Sequence, residues 1–306
     1  MKIKPFMDIA SIRETATEFT EPNIYSFQKN DHIVIQVKFD GTNASIRYDT
    51  ETKSLAAFSR KLPLSFSNTL NGFWNFVQSL NPEDFAVYPN LTFFGEWAVK
   101  NKVSYKPEYR KKWFVYDIYD HTTQQYLPWN LVKSITEKLG LTHIHVLYDG
   151  PFESWEHCKS FMREKVYTEN TEEGIIVKNI TRLNNPINHC PTVLKIVNSN
   201  FKERISKREI DPEKFAAKDK ATQIAMQIVT KNRVEKELFK MRDENVIPAV
   251  VIPEMMGLIA RTLPKRIYAD CLKEEPEMVI SAGEPFGKIC SSLCMKIARE
   301  IILGGQ

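Results

Sequence analysis

The sequence predicts an α+β protein, with an antiparallel-sheet domain over residues 1–205 and a small all-α domain over residues 206–306. Three observations lead to this prediction. Before about residue 205, apolar residues fall into short alternating runs bounded by polar or turn residues, as in strands. Beyond it, helical propensity and a helical period replace the alternation. The 306 residues are also enough for two ordinary domains.

The first strand pattern is "HIVIQVKF", in which Ile33 and Ile35 alternate with other residues and predict one apolar face. The opposite face would carry Gln36, Lys38 and Asp40, and the last of these begins an Asp-Gly turn. Further runs of this kind are "ASIRYD", "LTFFGEWAV", "KWFVYDIYD", "EGIIVKNI" and "TVLKIVN".

The spacing of apolar residues also predicts helices in both domains. In the first domain they are expected at residues 69–80, 129–139 and 153–165. In the second, "EKFAAKDKATQIAMQIVTKNRVEKELFKMRDEN" has a helical period, and "VIPAVVIPEMMGLIARTL" is broken by Pro248 and Pro253 before it resumes as a helix. The last helix is "PFGKICSSLCMKIAREIIL", with Gly304 and Gly305 as its stop.

The composition predicts an intracellular, cytoplasmic protein without a membrane partner. No run approaches the roughly 18 apolar residues of a membrane span, and "MKIKPFMDIASI" lacks the apolar core of a secretory signal. The five cysteines form no Cys-x-x-Cys pair and are expected to be reduced, with Cys290 and Cys294 buried in a helix core. His143 and His145 are too few ligands for a zinc site.

The net charge of +4 is mild, but it is concentrated. Residues 202–242 carry twelve Lys or Arg and seven Asp or Glu, an excess of five. Such a segment attracts polyanions. A solvated helical surface would show the same charge, so the charge alone does not decide between the two.

Lys38 lies inside a strand pattern, two residues before the Asp-Gly turn. A lysine held at a strand end acts as a nucleophile once its amine is neutral. The alternative is a solvated lysine beside a hairpin turn. Other charged residues lie in or beside apolar strands of the same domain, and together they predict charges converging in a cleft between sheets. They are Glu96, Asp117, Glu173, Lys178 and Lys195.

The order and spacing of these segments resemble the covalent nucleotidyltransferase superfamily of ATP-dependent ligases and mRNA capping enzymes. "KFDGTN" is similar to its motif I, "FFGEW" to motif III, "WFVYDI" to motif IIIa, "EEGIIVK" to motif IV and "LKIVN" to motif V. Within it, Asn43, Arg60 in "FSRK" and the run "NSNFKER" resemble the nick-sealing RNA ligases of the phage T4 RNA ligase 2 type. One departure is Val197, where that family usually has a second lysine of motif V.

The resemblance implies an RNA ligase that uses ATP and Mg²⁺ or Mn²⁺ and acts on nicked duplex RNA or broken RNA ends. Lys38 would become covalently bound to AMP, and AMP would pass to a 5′-phosphate that a 3′-OH then attacks. The implied catalytic residues are Lys38, Lys195, Lys178 and Glu173. The implied nucleotide-binding residues are Glu96, Tyr116, Arg60, Asn43 and Val37. The implied metal-binding residues are Glu173 and Asp40.

In this scheme Lys178 and Lys195 supply positive charge to the α-phosphate, and Tyr116 stacks on adenine while Glu96 holds the ribose. Asp117 would be structural, and the basic segment 202–242 would contact RNA phosphates. Two alternatives stay open. A capping guanylyltransferase or DNA ligase would normally add an OB-fold, whose strand alternation is not seen after residue 205. A non-catalytic RNA-binding protein on a ligase scaffold would fit Val197.

Overall fold

The computed structural model describes residues 3–12, 27–99, 103–184, 192–201, 219–248 and 255–303. The chain divides into two compact units, Met1–Asn200 and Phe201–Gln306. The first unit contains two β-sheets with short helices, and the described part of the second is helical. The predicted α+β class is therefore confirmed.

The strands of the first unit are β1 (Ala10–Ile12), β2 (His32–Lys38), β3 (Thr42–Asp49), β4 (Ser54–Ser59), β5 (Leu91–Trp97), β6 (Trp113–Asp120), β7 (Gln125–Tyr126), β8 (Thr142–His143), β9 (Val146–Pro151), β10 (Gly174–Asn179) and β11 (Val193–Val197). The five-stranded sheet has the order β1-β11-β10-β2-β9, and the six-stranded sheet has the order β4-β3-β5-β6-β7 with β8 beside β6. Both are antiparallel except at the β1–β11 and β6–β8 pairs.

The five-stranded sheet has one apolar face, as the alternation in "HIVIQVKF" predicted. Ile33 and Ile35 of β2 pack there with Ile175, Val177, Leu194 and Ile196 of the neighbouring strands. A short helix α4 (Trp155–Ser160) covers this face through Trp155 and Cys158. Removal of these apolar side chains from water fixes which face of the sheet is turned inward, and therefore which face carries the lysines.

The Asp-Gly turn after Lys38 is not a hairpin turn, which removes the alternative of a solvated lysine beside a hairpin. β2 pairs with β10 and β9 in the five-stranded sheet, whereas β3 pairs with β4 and β5 in the six-stranded sheet. Residues 39–41 therefore carry the chain from one sheet to the other. The two sheets contribute opposite walls of one site because this connection is only three residues long.

The remaining helices of the first unit are α1 (Phe73–Gln78), α2 (Pro82–Phe85) and α3 (Trp129–Lys138). The helix predicted over 69–80 begins only at Phe73, because Leu70, Asn71 and Gly72 all have positive φ angles. The prediction over 129–139 agrees closely with α3. The prediction over 153–165 becomes α4 followed by a single 3₁₀ turn at Phe161–Arg163.

The described helices of the second unit are α5 (Lys220–Ile228), α6 (Lys231–Asp243), α7 (Met256–Glu274), α8 (Pro276–Ala282) and α9 (Pro285–Leu303). Helix α9 buries Phe286, Cys290, Cys294 and Ala298, which recur every four residues and form its inward stripe. The buried thiols predicted at Cys290 and Cys294 are confirmed. Residues 219–248 and 255–303 contain no strand.

The described half of the basic segment is less available to a polyanion than its charge predicted. Arg233 is 2% exposed and lies 3.6 Å from Asp270, and Lys240 lies 2.9 Å from Glu237. These cations are therefore engaged with carboxylates inside the helical unit. Residues 202–218 of the same segment lie outside the described residues. Among the described helices, none is long and apolar enough to cross a membrane.

Candidate active site

The pairing register places three lysines on one face of the five-stranded sheet. Gly174 of β10 is opposite Lys38 of β2, and Ile176 is opposite Lys195 of β11. Lys178 follows two residues after Ile176 and so shares its face. Val37 is opposite Ile175 and belongs to the other, apolar face, where it is 2% exposed. The predicted contact of Val37 with a nucleotide therefore does not fit the position of its side chain.

Lys38 and Glu173 form an ion pair at the end of β2, with Lys38 Nζ against Glu173 Oε2. Their side chains are 21% and 17% exposed, so a ligand can still approach them. Glu173 immediately precedes β10, and its backbone carbonyl accepts a hydrogen bond from the Asn198 amide at 2.8 Å. Strand pairing thus brings together two residues that are 135 positions apart in the chain.

Glu96 reaches this ion pair from the six-stranded sheet. Its Oε1 accepts a hydrogen bond from the Gly41 amide at 3.2 Å. Burial raises the pKa of Glu96 to about 8, with Lys38 opposing the rise and the Glu173 and Asp40 carboxylates adding to it. The Glu96 carboxyl is therefore largely protonated at neutral pH and can donate a hydrogen bond.

Gly41 is required by the close approach of the sheet-to-sheet connection to β5. A Cβ at this position would lie 2.6 Å from the Trp97 carbonyl oxygen and 2.8 Å from Glu96 Cγ. Only glycine leaves room for Glu96 beside the connection.

Asp40 organises the neighbouring loop. Its backbone amide donates to Tyr105 Oη at 2.5 Å, and its Oδ2 accepts from the Val103 amide at 3.0 Å. The Tyr105 ring is stacked on Phe39, with ring centroids 3.9 Å apart. The predicted role of Asp40 as a metal ligand thus competes with a hydrogen bond that already fixes its carboxylate.

A β-bulge aims two consecutive residues at the site. Phe94 of β5 is opposite Asp117 and Gly95 is opposite Val115, so Tyr116 is the extra residue of β6. In a regular strand Tyr116 and Asp117 would point to opposite faces. Here Tyr116 Oη accepts a hydrogen bond from Asn43 Nδ2, and Asp117 reaches Lys178 of the facing sheet.

Lys178 is engaged by a carboxylate and a backbone carbonyl of the facing sheet. Its Nζ lies 2.8 Å from Asp117 Oδ1 and donates to the Tyr116 carbonyl oxygen at 2.5 Å. Both side chains are 7% exposed. Burial lowers the pKa of Lys178 and raises that of Asp117, and the ion pair opposes both shifts. The geometry makes Lys178 a tie between the sheets, and the predicted contact with the α-phosphate would require this ion pair to open.

Arg60 directly follows β4 and lies near the Tyr116 phenol. Burial raises the pKa of this phenol, and the charge of Arg60 lowers it. The Arg60 Nη2 atom lies 2.6 Å from Asp8 Oδ1.

Lys195 and Val197 are half-buried on the lysine face of β11. In the described part of the chain, no three His, Cys, Asp or Glu side chains are arranged to hold a metal ion.

A family model described as RNA ligase matches residues 31–197, which is more than half of the chain and includes every strand of this site. The chain belongs to the RNA ligase family. This ligase domain brings Lys38, Glu96 and Glu173 together as the motif order indicated. No curated protein sequence matches the chain significantly.

Among solved structures, the chain is similar to two forms of an archaeal ATP-dependent RNA ligase. Form 2 has a TM-score of 0.50 with 15% identity, and form 1 has a TM-score of 0.49 with 16% identity. Each match covers 99% of this chain and 67% of that one. A Naegleria gruberi RNA ligase variant with ATP and Mn matches 65% of this chain and 57% of its own, at 18% identity and a TM-score of 0.45. At these identities the likeness of form 2 supports the ligase fold alone.

The sequence did not single out several residues that shape this ligase site. Tyr105 lies in a loop with no motif around it, and Phe6 lies in the N-terminal segment. Gly41 was visible only as part of a turn, and the bulge at Tyr116 leaves no sign in a strand whose apolar pattern looks regular. The Asp-Gly pair is the one local signal, and it favours a turn without indicating that the turn joins two sheets.

The raised pKa of Glu96 predicts a pH dependence of stability. Unfolded Glu96 loses its proton near pH 4.5, whereas the folded state keeps it until about pH 8. This contribution is complete below pH 4.5 and is lost as the pH rises through 8. The excess stability of wild type over Glu96→Gln should therefore fall between pH 5 and 8, by at most about 1.4 kcal/mol per pH unit.

Urea unfolding of both proteins at pH 5, 6, 7 and 8 measures this difference. Glu51→Gln, at an exposed turn of the same unit, is the matched control and should keep a constant difference from wild type. A Glu96→Gln difference that stays constant across the same range would contradict the buried, protonated carboxyl.

Proposed function

We propose that the protein is an ATP-dependent RNA ligase that seals 3′-OH and 5′-phosphate ends, most naturally at nicks in duplex RNA during RNA repair. The reaction would pass through a covalent lysyl-AMP on Lys38 and an RNA-adenylate. The observation that carries the proposal is the meeting of Lys38, Glu173 and Glu96 between two sheets of an RNA ligase domain.

In the first step, Lys38 Nζ attacks the α-phosphorus of ATP. A phosphorus–nitrogen bond forms, the bond to pyrophosphate breaks, and the amine loses a proton. The lone pair is available only when the amine is neutral and no longer held by Glu173. Opening of the Lys38–Glu173 ion pair is therefore part of the step, and the approach of the triphosphate, which repels the Glu173 carboxylate, favours it.

The nucleotide would bind between the two sheets. The Tyr116 ring, held by Asn43 through its hydroxyl, offers a flat face on which adenine can stack. The protonated Glu96 carboxyl can donate to one ribose hydroxyl and accept from another. Both side chains are half-buried, so they keep a surface that a ligand can reach.

A divalent cation fits this donor set through the Glu173 carboxylate and the phosphates of the substrate, because Mg²⁺ binds with few protein ligands and retains water. Asp40 would join only through its partly engaged carboxylate. When bound, the ion would neutralise phosphate charge.

In the second step the AMP moves from Lys38 to the 5′-phosphate of RNA, and the phosphorus–nitrogen bond breaks. In the third step the 3′-OH attacks the activated phosphate, AMP leaves, and a phosphodiester bond forms. We expect Lys195 and Arg60 to contact the phosphates, because Lys178 is buried against Asp117, whereas the Arg60–Asp8 pair is solvent-exposed. Val197 supplies no charge beside Lys195, so these two cations would carry most of the stabilisation.

The helical unit would bind RNA flanking the join. RNA phosphates would be contacted by the exposed Lys220 and Lys231 and by the cations of residues 202–218. Because the described Arg233 and Lys240 are engaged internally, they are not included in this surface.

Incubation with α-³²P-ATP and Mg²⁺, followed by a denaturing gel, tests the proposal. A labelled protein band that acid releases and base preserves indicates a phosphoramidate on lysine. Pyrophosphate treatment before the assay removes any AMP already bound during purification. Transfer of the label to a nicked RNA duplex, with closure of the nick, would support ligation. Labelling by GTP alone would favour a guanylyltransferase, and no labelling by either would contradict the proposal.

A further inference from the structure

Residues 3–12, called here the N-terminal strap, cross from one wall of the site to the other. Lys4 Nζ lies 4.1 Å from the centre of the Tyr119 ring, and the Met7 amide donates to Tyr126 Oη at 3.1 Å. Both partners belong to the six-stranded sheet. Strand β1 then pairs in parallel with β11 of the five-stranded sheet, with Ser11 opposite Lys195.

The middle of the strap contacts two residues of the nucleotide site. The Phe6 ring lies edge-on to Tyr116, with centroids 4.8 Å apart and an angle of 65° between the rings. Phe6 also contacts Phe94 at 5.2 Å and Tyr126 at 5.6 Å. Two residues later, Asp8 Oδ1 accepts from Arg60 Nη2 at 2.6 Å.

We infer that Phe6 is a positioning residue for nucleotide binding, because its ring fixes the orientation of the Tyr116 ring while the strap is anchored on both sheets. The inference rests on the proposed function, in which Tyr116 stacks on adenine.

The bulge explains why Tyr116 needs this support. As the extra residue of β6, Tyr116 has no directly opposite residue on β5, so it lacks a regular cross-strand neighbour that would pack against its ring. Asn43 fixes the hydroxyl end of the side chain. Phe6 packs edge-on against the Tyr116 ring and limits its rotation, and Phe6 is itself held by contacts with Phe94 and Tyr126. A stacking surface that is already oriented binds its ligand with less loss of entropy.

The Asp8–Arg60 contact ties the strap at a second point. The two side chains are 59% and 41% exposed, so solvent screens the pair and it adds little stability. The pair instead fixes the direction of the Arg60 side chain, because Asp8 holds its guanidinium beside the strap. The strap therefore reaches the proposed base-binding ring through Phe6 and the proposed phosphate-contacting Arg60 through Asp8, two residues later.

The test uses the full chain with its affinity tag at the C-terminus, so that the strap is unaltered. Phe6→Ala should raise the KM for ATP in self-adenylylation by roughly 2- to 12-fold, the range that aromatic pairs supply. The rate at saturating ATP should change by less than twofold. Phe6→Tyr, which keeps the ring, should restore most of the wild-type KM, and Phe6→Leu should restore part of it.

Lys29→Ala is the matched control, because Lys29 is an exposed lysine of the same unit that lies outside the strap. It should keep the wild-type KM. In a Tyr116→Ala background, Phe6→Ala should cause no further rise in KM, because the ring that it positions is gone. A purely structural role would instead give the same additional change in both backgrounds.

The outcomes separate the two proposals. Wild-type protein that takes up no label contradicts the proposed function. Labelled wild type, together with a Phe6→Ala variant of unchanged KM, overturns the role of Phe6 and leaves the ligase proposal intact. If Phe6→Ala is insoluble, the Phe6→Leu and Phe6→Tyr series decides, and an equal KM in both would overturn the inference.

Discussion

Lys38→Arg is expected to abolish covalent labelling by α-³²P-ATP, with a loss of about 10³-fold or more in self-adenylylation. Arginine keeps the positive charge and the ion pair with Glu173. Its guanidinium stays protonated at any accessible pH, however, so it has no lone pair with which to attack phosphorus. The variant therefore keeps the positive charge at position 38 and removes the nucleophile.

The measurement is the initial rate of label uptake at saturating ATP, with thermal unfolding of each protein as a check of folding. Lys29→Arg, at an exposed position shortly before β2, is the matched control and should label as wild type does. Sustained labelling of Lys38→Arg would show that another residue carries AMP. Peptide mapping of the labelled band would then identify it.

The sequence predicted the strands well because each one carries a local apolar pattern with turn residues at its ends. The sequence also indicated Lys38, Glu96 and Glu173, because each is a charged residue at or near the end of such an apolar run. Their convergence follows from strand pairing between distant segments. The motif order indicated it, although no local property of the chain could.

Residues 39–41 do not form the hairpin turn of the alternative interpretation, and the reason is physical. An Asp-Gly pair favours a tight turn between paired strands, but the pairing of a strand depends on which distant partner buries its apolar face. β2 pairs with β10 and β9, so the Asp-Gly pair lies in the connection between the two sheets. The Asp-Gly pair indicates a turn, but the sequence does not indicate which sheets the turn connects.

The position of Lys178 was unpredictable for a related reason. The resemblance implied that Lys178 is a phosphate ligand, because it follows Glu173 at the spacing of motif IV. Its partner Asp117 reaches it only because the bulge at Tyr116 changes the alternation of β6. A single extra residue in β6 thus brings a carboxylate to Lys178.

Removal of Asp117 is expected to be the most destabilising single change at the site. Asp117→Ala leaves the 7% exposed Lys178 without its carboxylate, at a cost of about 3 kcal/mol in the free energy of unfolding. This is the lower end of the usual range, because a cavity of about 30 Å³ borders the pair and can admit a water molecule. Urea unfolding at pH 7 measures the loss.

The pH dependence of that loss has a definite sign. Burial already lowers the pKa of Lys178 against the pull of Asp117, and removal of the carboxylate lowers it further. The unfolded chain then binds more protons than the folded one, so the variant gains stability as the pH rises. The destabilisation by Asp117→Ala should therefore shrink between pH 7 and pH 10, and a constant or growing loss would contradict the buried ion pair.

A double variant distinguishes the ion pair from simple loss of packing. Asp117→Asn with Lys178→Met replaces both charges by neutral groups of similar size, and it should recover stability to within about 1 kcal/mol of wild type. Lys178 also donates to the Tyr116 carbonyl oxygen, so the double variant loses one tie that holds the bulge. Recovered stability with a raised KM for ATP would show that the pair serves the nucleotide site by fixing Tyr116. Recovered stability with an unchanged KM would restrict the pair to joining the two sheets.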